Sequence, residues 1–170
     1  VVGAPGVLGN DTDADSGDIL TAVLVQGVSS GALTLHPDGS FSYIPGPQFS
    51  GTDSFTYLAS DGVFGSTPVT VWLTVDPVND APVAAGDSYA TAEDTALTIT
   101  LTGSDPDNDT LTFAVQGGPA NGTLSGTAPN LTYTPNANFD GTDTFTFTVS
   151  DGKLTSAPAT VSITVTAVND

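Results

Sequence analysis

The chain is predicted to be all-β, built as two tandem antiparallel β-sandwich domains in an end-to-end array. Three observations carry this expectation. Apolar residues alternate with threonine and serine at the two-residue period of half-buried strands. Turn signals separate those runs: Pro-Asp-Gly at 37–39, Asp-Gly at 61–62 and Asn-Gly at 121–122. The sequence also repeats, because displacing it by 90 residues aligns Phe49–Asp80 with Phe139–Asp170 at 18 identities in 32 positions.

The repeat divides the chain into residues 1–78 and 79–170. Taken in order, Phe41-Ser-Tyr43-Ile-Pro45 returns as Leu131-Thr-Tyr133-Thr-Pro135, a short strand in each copy. Phe-x-Gly-Thr-Asp at 49–53 and 139–143 leads into a second strand, where Phe145, Phe147 and Val149 alternate with threonines. Ser-Asp-Gly at 60–62 and 150–152 turns the chain, and Ser-x-Pro-x-Thr-Val at 66–71 and 156–161 opens the last strand. There Val161, Ile163 and Val165 face inward between Thr160, Ser162 and Thr164; in the first copy Val71, Leu73 and Val75 do so and Trp72 points outward. Asp76-Pro-Val-Asn-Asp-Ala-Pro82, whose Val-Asn-Asp returns at 168–170, marks the junction. The second copy has a full lead-in from Val83 to Thr102, whereas the first begins with Val1–Gly9, so its first strand is expected to be incomplete. About seven short strands per unit with β-branched and aromatic inward faces predict an Ig-like sandwich.

Eighteen aspartates and one glutamate against the single Lys153 leave a formal net charge of −18. That charge repels phosphate backbones and anionic lipid, which argues against nucleic acid and against direct membrane insertion. Aspartate is a turn former and a hard-cation ligand rather than helix-surface charge, so Ca²⁺ is the expected counter-ion. With 38% hydrophobic residues the chain has the apolar surface to fold, unlike a disordered acidic tail. It has no cysteine, which removes disulfides and thiol chemistry. Residue 1 falls inside the repeat pattern, so the chain is read as a piece of a longer protein and the lack of a leader carries no weight.

The acids are clustered. Asp11, Asp13, Asp15 and Asp18 lie within eight residues, and Asp105, Asp107 and Asp109 stand at the equivalent place in the second copy. Carboxylates two residues apart on a loop either serve as solvated turn residues or face one ion; recurrence in both copies next to the aspartate-rich linker favours the ion. In an end-to-end array Asp76, Asn79, Asp80, Asp105 and Asp107 are expected to converge. A helix–loop–helix calcium site is excluded by the missing distal glutamate and flanking helices.

These residues resemble cadherin repeats, most closely the cadherin-like tandem repeats of large secreted bacterial adhesins and surface proteins. Asn79-Asp80-Ala81-Pro82 resembles the cadherin linker, one residue shorter than usual. Asp13-Ala14-Asp15 and Asp105-Pro106-Asp107 resemble the family's Asp-x-Asp motif, Ala59-Ser60-Asp61-Gly62 and Val149-Ser150-Asp151-Gly152 its Ala-x-Asp-x-Gly segment, and Glu93 the glutamate after the first strand. The resemblance implies a shared central calcium cage of Asp53, Asp76, Asn79, Asp80, Asp105, Asp107 and Asp151. It implies further that Asp13, Asp15 and Asp61 serve an upstream repeat, and Glu93, Asp143, Asn169 and Asp170 a downstream one. The family's Leu-Asp-Arg-Glu segment survives only as Gly-Thr-Asp at 51–53 and 141–143, and the first copy lacks the glutamate.

Catalysis finds little support. His36 is the single histidine and sits beside a Pro-Asp-Gly turn, with no companion for a zinc site or a triad. One lysine leaves almost no donor for Lys–Asn crosslinks, and the paired carboxylates lie on loops rather than in an inferable cleft. The expected function is therefore a non-catalytic, extracellular spacer of an adhesin, stiffened by calcium between adjacent repeats and projecting a region that binds a cell-surface or glycan ligand. The alternative is a carbohydrate-binding accessory domain of a secreted polysaccharide-degrading enzyme, with Trp72 either stacking on a sugar ring or packing under a loop.

Overall fold

The structure, a computed structural model, describes residues 1–15 and 17–169. Among them there is no α-helix, and the chain falls into two compact units, Val1–Val78 and Asn79–Asp170.

In unit 1 a 3₁₀ turn at Gly6–Leu8 precedes β1 (Thr21–Gln26), β2 (Ala32–Leu35), β3 (Phe41–Ile44), β4 (Gly51–Ser60) and β5 (Val69–Val75). One antiparallel sheet has the order β1-β4-β5 and the other pairs β2 with β3. The period-two pattern of β4 buries Asp53, Phe55, Tyr57 and Ala59 on one face. Phe55 meets Phe41 of the facing sheet edge-on, ring centroids 5.3 Å apart, and Val7, Ala22 and Tyr57 complete a small buried core. The Pro-Asp-Gly signal becomes the β2–β3 turn. Gly39 there has φ +81°, and a Cβ on it would lie 2.1 Å from the Pro5 carbonyl, so only glycine fits.

Unit 2 contains β6 (Val83–Ala85), β7 (Asp87–Ala92), β8 (Leu97–Thr100), β9 (Thr102–Ser104), β10 (Thr112–Gly117), β11 (Gly122–Thr127), β12 (Asn130–Pro135), β13 (Gly141–Ser150) and β14 (Ala159–Thr166). Its sheets run β10-β13-β14-β7 and β11-β12-β8, with a small β6-β9 pair. β10–β14 repeat β1–β5, down to a register shift between Leu24 and Gln26 in one unit and Val115 and Gly117 in the other. The core joins Ile99, Leu101, Leu131, Tyr133, Phe145, Phe147, Val149, Val161, Ile163 and Val165.

The units differ at one edge. In unit 2, β7 pairs in parallel with β14, Val161 opposite Asp87 through Thr166 opposite Ala92. The approach is close enough that a Cβ on Gly86 would lie 2.6 Å from the Thr160 carbonyl. In unit 1, β5 pairs only with β4 among the described residues. The consequence is burial: Val161, Ile163 and Val165 are 1%, 0% and 3% exposed, while Val71, Leu73 and Val75 are only half-buried. The expectation of about seven strands in each unit is corrected to five and nine named strands, because short segments of the Val83–Ser104 lead-in pair separately.

Candidate cation site

The residues of unit 2 nearest its start converge on the loop before β10 and the turn after β13. Ser150-Asp151-Gly152 is a turn by its own chemistry. Asp151 Oδ1 accepts the backbone N–H groups of Lys153 and Leu154, both at 2.6 Å, and Gly152 takes φ +93°. Unit 1 repeats this, Asp61 Oδ1 accepting from Val63 and Phe64 at 2.7 and 2.6 Å. The second oxygen of Asp151 is therefore free to reach outward, and it accepts the side-chain amide of Asn79 at 2.7 Å. The Asn79 amide first, then the Leu154 and Lys153 N–H groups, lowers the Asp151 pKa to about 2.

Asp105 folds its own loop in the same way, Oδ1 accepting from the N–H groups of Asp107 at 2.8 Å and Asp109 at 3.2 Å. Its Oδ2 is buried and has no hydrogen-bond partner. Asp107 Oδ2 accepts the Asp80 N–H at 2.8 Å. Lys153 closes the group, donating from Nζ to Asn79 Oδ1 at 2.8 Å and Asp109 Oδ2 at 3.4 Å. Of the expected central ligands, Asn79, Asp80, Asp105, Asp107 and Asp151 thus belong to one hydrogen-bonded cluster inside unit 2.

Asp53 and Asp143 depart from expectation, for a physical reason. Each is the third residue of its long strand and the first of its buried face, and both of its oxygens are occupied by protein donors. Asp143 accepts from the N–H groups of Ala120 and Thr144 at Oδ1, and of Asn121 and the Tyr133 hydroxyl at Oδ2, all within 2.9 Å. Asp53 accepts from Ser29 and Ser54 at Oδ1 and from Ser30 and Tyr43 at Oδ2. The Ser29 N–H first among these donors holds Asp53 well below the usual carboxylate range, against the opposing effect of burial. These two aspartates clamp the β1–β2 connection of unit 1 and the β10–β11 connection of unit 2 onto β4 and β13.

The remaining expected ligands are scattered. Glu93 is buried, and its Oε1 accepts the Val168 N–H at 2.6 Å beyond the C-terminal end of β14. Asn169 and, in unit 1, Asp76 are exposed, and Asp170 lies outside the described residues. Asp13 and Asp15 are exposed and, with Asp18, bring carboxylate oxygens within 4.8 Å of one another; Asp13 Oδ1 also accepts the Asp15 N–H at 2.8 Å.

Residues 79–164 of this tandem β-sandwich chain match the family model described as the bacterial Ig domain. The chain belongs to the bacterial Ig domain family. Residues 1–77 match the bacterial cadherin-like domain, and the two matches together support the likeness of the chain to cadherin-like repeats of bacterial surface proteins. The integrin beta-like protein E of Dictyostelium discoideum is 29% identical over 171 residues, 88% of this chain. The chain spans only 9% of that relative's length. The solved human mucin-like protocadherin EC1-2 aligns with 88% of this chain and 85% of its own at 21% identity and a TM-score of 0.56, a likeness of fold. An endo-fucoidan hydrolase, MfFcnA4 from glycoside hydrolase family 107, is 30% identical over 90% of this chain and 24% of its own, with a TM-score of 0.41.

Within the bacterial Ig domain the clustered donors are oxygens alone, from carboxylates and one side-chain amide, the set that suits a hard divalent cation. The orphaned Asp105 Oδ2 is the observation that fits one, since a buried carboxylate oxygen without a partner costs free energy that a cation would offset. Two members of the cluster, Asp109 and Lys153, stood outside the central ligand set expected from the sequence. Asp109 continues the alternation of Asp105 and Asp107, and Lys153 follows Asp151 by two residues, but only the fold brings either beside Asn79. No helix of the described residues is long and apolar enough to cross a membrane.

Proposed function

We propose that the chain is a non-catalytic, calcium-binding repeat pair that serves as an extracellular spacer in a bacterial adhesin or surface protein. The observation that carries the reading is the unpartnered Asp105 Oδ2 among Asn79, Asp80, Asp107, Asp109 and Asp151. Asn79 and Asp80 follow directly on the last residue of unit 1, so a cation held here fixes the segment through which one repeat leads into the next. Extracellular modules bind calcium at roughly 10⁻⁴–10⁻³ M, and at about 10 mM such binding stabilises the folded unit by about 1.4–2.7 kcal/mol. Calorimetric titration is expected to give a dissociation constant in that range, and chelator is expected to lower the melting temperature of unit 2 by about 5 °C or more. No heat and no thermal shift in millimolar calcium removes the calcium reading. Equal scattering dimensions with calcium and with chelator remove the spacer role.

A second reading rests on Trp72. It is 70% exposed on the outward face of β5, opposite Ser54 and between Thr70 and Thr74, and does not pack under a loop. An exposed indole on a hydroxyl-rich strand is a stacking platform for a sugar ring. Titration of tryptophan fluorescence with polysaccharide fragments tests it: binding that disappears in Trp72→Ala supports a carbohydrate-binding accessory domain, and an unresponsive indole discards it.

A further inference from the structure

We propose that Lys153 is a tethered cation that stands in for part of the divalent charge at the cluster of unit 2 and sets how tightly that cluster takes calcium. The inference rests on the calcium reading of the same cluster. Lys153 is the only lysine or arginine in a chain of net charge −18. Its ammonium donates to Asn79 Oδ1 at 2.8 Å and to Asp109 Oδ2 at 3.4 Å, while its own backbone N–H holds Asp151 at 2.6 Å. Asn79 is oriented to match, its amide NH₂ on the Asp151 carboxylate and its carbonyl oxygen on the ammonium.

The turn does not require a lysine. Unit 1 has Val63 at the equivalent position, with the same Asp61 hydrogen bonds to residues two and three further on, and its side chain is 80% exposed. What distinguishes position 153 is thus the charge at the end of the side chain, and that charge rests on two oxygens of the same cluster, Asn79 Oδ1 and Asp109 Oδ2. The Lys153 side chain is 66% exposed beside Asp109. It acts here as a charge and not as a nucleophile toward the Asn79 amide. An ammonium and a divalent ion drawn to the same cluster repel each other even through water, so calcium binding opposes the docked position of the lysine. Removing it is expected to tighten calcium binding about three- to tenfold, the upper end being the unscreened Coulomb value discounted for the mobility of an exposed side chain. Without calcium the same ammonium relieves carboxylate repulsion and keeps Asn79 docked.

The test compares the full chain with Lys153→Val, the residue that unit 1 carries in the same turn, and with Lys153→Arg, which retains the charge. Calcium titrations at low ionic strength are expected to show three- to tenfold tighter binding for Lys153→Val and near-parental affinity for Lys153→Arg. In chelator, amide exchange at Asp80, whose N–H donates to Asp107, is expected to accelerate in Lys153→Val alone. Equal calcium affinity of the parent and Lys153→Val overturns the proposal. Should neither protein bind calcium, the calcium reading of the cluster fails by itself. The exchange measurement then decides: faster exchange in Lys153→Val retains Lys153 as the cluster's cation, and unchanged exchange overturns it.

Discussion

Replacing Asp143, buried at 3% exposure, with alanine is expected to destabilise unit 2 by about 3 kcal/mol or more. Four donors point at this one buried carboxylate: the N–H groups of Ala120, Asn121 and Thr144 and the Tyr133 hydroxyl. Deleting it leaves several of them unpaired in an apolar surrounding, at about 1–3 kcal/mol for each group that water cannot reach. Tyr133→Phe removes one partner and leaves the carboxylate otherwise satisfied, so about 1 kcal/mol is expected. Denaturant unfolding, followed by amide exchange in peptides from unit 2, measures both. A loss for Asp143→Ala no larger than for Tyr133→Phe refutes the clamp.

The same carboxylate predicts an acid limb. Burial raises the Asp143 pKa, but the Asn121 and Ala120 N–H groups and the Tyr133 hydroxyl outweigh it, and the net shift is downward. A carboxyl depressed in the folded state binds protons more readily when unfolded. Its stabilising contribution is complete above the unfolded value of about 4 and is lost as pH falls from there through the folded value. Asp143→Asn is expected to flatten this limb, whereas stability between pH 6 and 8, as a matter of linkage alone, stays independent of the group.

The two units are expected to unfold separately, unit 1 first, and to respond unequally to equivalent core truncations. Ile163→Ala empties a fully buried position of β14, enclosed by β7 and the aromatic core, and costs about 2–5 kcal/mol. Leu73→Ala truncates the corresponding residue of β5, which is already half-exposed for want of a β7 beside it, so the loss is expected to be less than about 2 kcal/mol. Calorimetry on the full chain, with exchange assigned to each unit, checks both statements. One coincident transition, or equal losses for the two substitutions, contradicts them.

Much of the fold was legible without coordinates because its determinants are local. Alternation along 141–150 and 159–166 dictates which side chains can face a core, and the Pro-Asp-Gly and Ser-Asp-Gly turns carry their own hydrogen-bond acceptors. The outward setting of Trp72 followed from the same alternation. The roles of the acids were less legible, because one residue type does three jobs here. Asp53 and Asp143 carry the same Gly-Thr-Asp signature that suggested ligands, yet their oxygens are filled by backbone donors 22–24 residues upstream in the chain.

By itself, then, the sequence determined the β class, the repeat, the turns and the acidic character, all of which follow from residue type and spacing along a few neighbouring positions. The tertiary structure decided which carboxylates are satisfied and which are not, where the one lysine rests, and that β7 seals one sandwich while β5 of the other pairs only with β4 among the described residues. Those outcomes depend on donors and strands that lie tens of residues away, and a hydrogen bond or a packed edge exists only when folding brings its two halves within about 3 Å.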